Sequence, residues 1–499
     1  MRSVIVVIWI LCLFLSPVCY SWEGWTDPEI ASDIEGVFFD PEMDESADGS
    51  IHLVYLSNDY PGWPVERIYY TNWNGIEWST PEILLYQPGD AIMTVQIKED
   101  CFGTLHVIFS DTSYTYYMKN EGSGWSEPIN LGWPTLTLDM DVDDNGEVYV
   151  VREYWDAGGA LFYWTRDGVW EGPLGISMPG EHVKYNYNPK VLVDKDGLVR
   201  IVWGGVYDSG KTDSVFYYEY NGEEFVNPMI IDTGIVGTGI DPSFVVDSFG
   251  MIHIIYRASI YIYEGGYVTG FDYYIYYTVS DGVSYSMPIT ISNTEELCFL
   301  PDLSLDPFGK LHATWLRGAS YRDDLLYSSW DKINWGPIQH LITTGDQSSP
   351  SILCDSEGTV HLAWDDHIQS DDYYVVGVTR KYRTEPGISV SLNRMHYTGG
   401  DHFSVSLDVS NPGEEVSADQ YVVLEVYGEY FWYPRWGSDP EPVGLLLSEG
   451  YKTREEIISV DLPDSLGTGG PFHFYAALCI SGTYDLVGDY SGAAFWFGE

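Results

Sequence analysis

The sequence predicts an all-β chain, a seven-bladed β-propeller closed by its own N-terminal strand and followed by a β-sandwich. Three observations carry this. A turn glycine opens an apolar second strand seven times, at Gly49, Gly103, Gly146, Gly197, Gly250, Gly309 and Gly358. Six of these follow an Asp three residues earlier (Asp100, Asp143, Asp194, Asp247, Asp306, Asp355), while Ser46 holds that place in the first unit. Downstream, pairs from Tyr69-Tyr70 to Leu326-Tyr327 mark third strands, and an aromatic followed three residues later by proline marks the fourth, as at Trp78/Pro81, Trp125/Pro128 and Phe225/Pro228. One small four-stranded sheet buries both faces only against its neighbours, so a repeat of this kind predicts a propeller blade.

Taken in order, residues 1–21 read as a secretory signal peptide: a basic start at Arg2, an apolar run from Val4 to Leu15, and a small residue, Ser21, at the end. The run falls short of a membrane span, so a secreted chain with no span after signal removal is expected. The unit 188–231 shows a blade in full, with strands over 189–194, 198–203, 214–220 and 224–231. The seventh unit, 350–383, lacks the fourth-strand signal. Trp25-Thr26-Asp27-Pro28 matches Trp125-Ser126-Glu127-Pro128, so residues 22–31 are expected to complete the last blade and leave no open seam. The propeller domain is thus 22–386. From Glu385-Pro386-Gly387 the repeat gives way to short strands over 389–392, 403–409, 421–427, 456–460, 472–479 and 493–497, which predict an immunoglobulin-like sandwich over 387–499.

Composition narrows the partners. With 75 acidic against 23 basic residues and a formal charge of −52, the chain repels phosphate backbones, and nucleic acid is excluded as a partner. Cys12 and Cys19 fall in the signal; Cys298 and Cys354 lie in adjacent units at registers that differ by several residues, which argues against a bridge. No cysteine or histidine spacing suits zinc. Asp141-Val142-Asp143-Asp144-Asn145-Gly146 copies the start of a calcium loop, but Arg152 stands at position twelve in place of the bidentate Glu. No cofactor and no metal are therefore expected, calcium being the one ion that any segment approaches. His52, His106, His253, His312 and His361 each follow a turn glycine by three residues. Spread around a ring they cannot share one metal, and buried structural roles are expected.

The turn Thr71 to Trp78, with relatives such as Thr278 to Tyr285, resembles a degenerate Asp-box, the third-to-fourth-strand turn of sialidase-like and lectin-like propellers. The resemblance spans roughly 22–383 and implies a ligand on the face opened by the entry loops and the second-to-third-strand loops. Sialidases grip a carboxylate with three arginines; here their early Arg-Ile-Pro motif is absent and Arg152, Arg257 and Arg317 fall at different registers. The expected function is a non-catalytic binder of glycan or another extracellular ligand, including a protein. The ligand-binding candidates are Asp59, Trp63, Asp111, Trp155, Tyr187, Asp208, Arg257, Arg317 and Asp366, carboxylates for hydroxyl groups beside aromatic faces for C–H surfaces. The alternative is a glycoside hydrolase with two carboxylates drawn from Asp40, Glu153, Asp241, Asp302 and Asp365. A third is an extracellular scaffold that needs no pocket chemistry. In the C-terminal domain Trp432, Tyr433 and Trp436 suit either an exposed surface or a core.

Overall fold

The structure, a computed structural model, describes residues 24–32, 37–58, 66–87, 90–154, 159–177, 183–207, 214–231, 239–264, 267–292, 297–318, 324–342, 346–368 and 373–498. The expected signal peptide 1–21 lies outside them, as do Asp59, Trp63, Trp155 and Asp208. Among the described residues there is no helix long and apolar enough to cross a membrane. The strands form seven four-stranded sheets and two further ones, an all-β arrangement of the β-propeller kind.

In chain order, the first strands of sheets one to seven are Val37–Glu45, Ile92–Glu99, Leu138–Val142, Val183–Val193, Gly239–Val246, Cys298–Leu305 and Asp346–Cys354. Each is an edge strand, and the rest of its sheet follows by antiparallel pairing. In the fourth sheet the members are Val183–Val193, Val199–Tyr207, Ser214–Tyr220 and Phe225–Ile231. First strands touch in cyclic succession and the seventh returns to the first. Every adjacent pair of sheets shares an apolar core; Leu53 and Tyr55 of the first pack with Ala363 and Val376 of the seventh, and Trp203 of the fourth packs with Phe162 of the third.

The D-x-x-G turn is built by its own aspartate. Asp194 Oδ1 accepts the Asp196 and Leu198 N–H groups at 3.0 Å, and Gly197 adopts φ 77°, which a side chain would resist. The same pair of bonds recurs at Asp100, Asp247, Asp306 and Asp355. The second carboxylate oxygen faces the histidine of the next strand: His312 Nε2 lies 3.4 Å from Asp306 Oδ2, and its Nδ1 lies 2.6 Å from the Tyr327 hydroxyl. His106 and His253 repeat this Asp–His–Tyr line. Where Ser46 replaces the aspartate, Glu99 of the neighbouring sheet reaches His52 at 2.8 Å. Replacing His312 by leucine strands a buried carboxylate oxygen and a buried phenol, and is expected to cost about 2 kcal/mol, read as a lower urea midpoint; an unchanged midpoint contradicts it.

Third-to-fourth turns are closed by a single acceptor. Asn74 Oδ1 takes the Ile76 and Glu77 N–H groups, and Asn120, Asn221, Asp281 and Asp331 do the same in their sheets. In the seventh sheet the outermost strand comes from the other end of the chain. Glu29 and Ile30 lie opposite Val378 and Gly377, Trp25 bridges to Lys381, and the Ala31 N–H donates to Val376 O at 2.9 Å. Trp25 is buried, packs edge-on against Tyr327 and donates its indole N–H to Gln339 at 3.0 Å. Trp25→Ala is expected to lower unfolding free energy by about 3 kcal/mol, measured by chemical denaturation; a change below a few tenths would show that the segment contributes little.

The remaining sheets belong to the C-terminal region. One joins Gly387–Leu392, His402–Asn411 and Tyr451–Asp461; the other joins His396–Tyr397, Ser491–Phe497, Gly469–Ile480, Val416–Val426 and Glu429–Trp432, with Val443–Leu447 also on Val416–Val426. Burial alternates strictly along His402–Asn411, and both sheets send residues such as Val405, Leu407, Phe474 and Phe495 into one core. Tyr433 and Trp436 pack against that core, while Trp432 rests edge-on against Tyr421. This region docks on the D-x-x-G turns of sheets four and five and on the third-to-fourth turn of sheet six. Asp196 accepts the Met395 N–H at 2.9 Å and holds His396 Nδ1 at 2.7 Å, the Ala494 N–H donates to Ser248 O, and Lys332 lies 4.0 Å above the Tyr490 ring.

Candidate functional site

Five first strands carry the same local irregularity. Asp40, Asn188, Asp241, Leu300 and Ser349 have φ between 44° and 55°, and each precedes a proline. Residues before proline ordinarily stay extended, so each position stores strain on the order of 1–2 kcal/mol. The ladder slips at each, between Phe39/Glu42, Tyr187/Lys190, Ile240/Ser243, Phe299/Asp302 and Ser348/Ser351. The bulges bring their side chains to one place, a cavity of about 200 Å³ that all seven sheets line.

Below the mouth the lining is tied together across sheets. Gln96 Nε2 donates to Glu42 Oε1 at 2.7 Å, Ser243 Oγ to Asp302 Oδ1 at 2.9 Å, and Ser351 Oγ to Glu42 Oε2 at 3.4 Å. Lys190 Nζ lies 3.6 Å from Asp139 Oδ1. Carboxylates also clamp the next sheet's backbone: Asp139 accepts the Val191 N–H, Asp141 the Val193 N–H, and Asp302 the Ile352 N–H. Burial pushes Glu42 up to about 8, Lys190 opposing and Asp40, Asp302 and Asp139 adding to the rise. Burial also works against the Lys190 charge, but Asp139, Glu42, Asp302 and Asp40 outweigh it and hold the ammonium above its ordinary value. Lys98 is held up the same way, chiefly by Asp44 at 3.1 Å.

Of the sequence candidates, Asp40, Asp241 and Asp302 line this cavity. Burial raises Asp40, against a Thr94 hydrogen bond, Lys190 and the Val95 N–H. Asp241 is raised by burial, against Arg257, whose Nη2 lies 2.8 Å away, and against the Asn188 amide. Arg257 itself is stacked between Tyr273 and Phe299, 5.1 and 5.5 Å from their centroids. Asp365 is fully buried next to the mouth, takes the Ser348 hydroxyl at 2.9 Å, and is raised well above its ordinary value by burial and then by Asp40. Tyr187 precedes Asn188 and is half-buried.

The other candidates are engaged by turns and neighbouring side chains. Asp111 caps the turn after its strand, accepting the Ser113 and Tyr114 N–H groups and the Gln87 amide. Arg317 pairs with Asp324, Asp366 accepts from Gln347 at 3.2 Å, and Glu153 is buried beside Arg152, which donates to the Tyr163 hydroxyl at 2.7 Å. Sequence reasoning placed Asn188 on an entry loop but missed Lys190, Glu42 and Ser349 as members of the site. A signal was present, since Pro41, Pro189, Pro242, Pro301 and Pro350 each stand five residues before the turn position Ser46, Asp194, Asp247, Asp306 or Asp355.

Among the described residues no group of three or more His, Cys, Asp and Glu is placed to hold a metal ion. In the calcium-like segment Asp143 Oδ1 closes its own turn through the Asn145 and Glu147 N–H groups. Cys298 and Cys354 are free thiols. A larger cavity, about 940 Å³, lies between the D-x-x-G turns and the C-terminal sheets. Its aspartates 194, 247, 306 and 355 already serve turn N–H groups and neighbouring Arg or His side chains, so its polar lining is largely structural.

No family model and no curated protein matches the chain. Among solved structures it is similar to a protein of unknown function from Dyadobacter fermentans DSM 18053, at 12% identity and a TM-score of 0.47, covering 72% of this chain and 100% of that one. It is also similar to the polysaccharide lyase Uly1, at 8% identity and a TM-score of 0.44 over 72% and 99%. A third is an α-L-arabinanase of Penicillium chrysogenum complexed with arabinobiose, at 11% identity and a TM-score of 0.40 over 69% and 97%. At such scores the likeness concerns the course of the backbone alone.

Proposed function

We propose that the chain is a secreted, non-catalytic binding protein that recognises a glycan or another extracellular ligand at the centre of its ring. On this reading residues 1–21 are a signal peptide, 22–386 form a seven-bladed propeller whose last blade residues 22–31 complete, and 387–499 form an immunoglobulin-like sandwich. The observation that carries it is the single cavity to which the first strands of all seven sheets contribute. It sets acceptors and donors such as Asp40, Asn188 and Thr94 beside the C–H surfaces of Leu300 and four prolines, the mixture that hydroxyl-bearing rings engage. The mouth carboxylates are held by neighbours, Asp241 by Arg257 and Asn188, Asp40 by Thr94 and Val95, which suits fixed acceptors better than a mobile acid and base.

A second reading, a glycoside hydrolase, is favoured by one feature: Glu42, raised to about 8, sits among other acids and can keep a proton at neutral pH. A glycan-array screen of the full chain, with and without calcium and followed by product analysis, separates the two. Retention without cleavage is the expected result. Cleaved product, lost in Glu42→Gln, overturns the binder in favour of the hydrolase; silence on every glycan removes the carbohydrate reading.

A further inference from the structure

We infer that the funnel takes one uncharged sugar residue at the free end of a chain, tip-first, and rejects a carboxylate-bearing end. This rests on the glycan reading above. The cavity of about 200 Å³ is smaller than the roughly 300–1,000 Å³ of clefts that hold drug-sized ligands, so it has room for one small ring and not for several. Immediately beneath the mouth, Gln96 and Ser351 both donate to Glu42, Ser243 donates to Asp302, and Lys190 faces Asp139, so side chains tied between neighbouring sheets narrow the space below the rim.

The walls fit a neutral ring. Pro189, Pro242, Pro301 and Pro350 with Leu300 give C–H surface around the rim. Asn188 donates through Nδ2 to Asp241, which leaves its Oδ1 to accept from a ligand hydroxyl. Charge decides against an acidic end. Asp40, Asp241 and Asp302 line the space against a single lysine, and Arg257 is already committed to Asp241. A uronate carboxylate would enter a partly desolvated, acid-lined space without a free cation to meet it.

The test uses the full chain and calorimetric titration with neutral trisaccharides ending in glucose, galactose, mannose or arabinose, the same compounds with the terminal residue O-methylated, and trigalacturonate. At least one neutral trisaccharide binds, and its methylated form and trigalacturonate bind at least tenfold more weakly. Asn188→Gly and Ser349→Gly, which keep the left-handed backbone, weaken the neutral ligand at least tenfold while the chain stays folded at the assay temperature, whereas Trp133→Ala on the exposed surface has no effect. Equal binding of free and methylated ends, or preference for trigalacturonate, overturns this inference while leaving glycan binding intact. Failure to bind any trisaccharide or polysaccharide overturns both.

Discussion

Lys190→Met lowers the free energy of unfolding by about 3 kcal/mol, the lower end of what removing one partner from a buried charge cluster costs, because the ammonium is three-tenths exposed. Its four acidic neighbours come from three different sheets besides its own: Asp40 and Glu42 from the first, Asp139 from the third and Asp302 from the sixth. Without the ammonium, Asp40, Asp139 and Asp302 lose the cation they share. Glu42→Gln in the Lys190→Met background is expected to restore part of the loss, and alone it raises stability near neutral pH, where folded Glu42 holds a proton that unfolding releases. Guanidinium denaturation of the two single variants and the double variant checks this. Equal stability of Lys190→Met and the parent would remove the central ammonium from any role in holding the ring.

The second large effect is on pH. In the folded chain Glu42 keeps its proton to about pH 8 and Asp141 to about pH 6, whereas an unfolded chain releases them near 4.5 and 3.8. Their contribution to stability is complete below the unfolded values and is lost as pH rises through the folded ones. Together they make the fold less stable at pH 8.5 than at pH 5 by an amount on the order of a few kcal/mol. His106, lowered chiefly by burial, acts in the opposite sense, but it is a single group. Below about pH 4 the trend reverses, since Asp100, Asp196 and Asp306 are held below their ordinary range and lose their hydrogen-bonded ionised form on acidification. Melting temperature should thus peak near pH 5 and fall toward pH 8.5, with a shallower fall in Glu42→Gln. A melting temperature that climbs from pH 5 to 8.5 would contradict the assignment.

What could be read from the sequence was local. The turn aspartates and glycines act within four residues of themselves, so spacing alone located them, and the histidines after them sit in the buried lines their position suggested. Trp25 and Pro28 could be matched to a fourth strand because aromatic and proline recur at that interval, and the structure sets Trp25 opposite Lys381. The channel was harder. Glu42 meets Gln96 from 54 positions away, and with 75 acidic residues no spacing distinguishes the few that face inward. Asp111 and Arg317 were chosen for residue type on exposed-looking loops, yet a turn and a neighbouring aspartate occupy them. In the C-terminal region Val443–Leu447 escaped because Pro440, Pro442 and Gly444 mask its short apolar run.

The first strands run from the funnel mouth, at their proline bulges, to the D-x-x-G turns, and the C-terminal sheets sit on those turns. Mouth and module therefore occupy opposite ends of the ring axis. A molecule held to a chip, a resin or a larger assembly through residues 387–498 stands with its opening turned outward. Held instead by the rim around Asn188 or Ser349, it would have that opening pressed against its support.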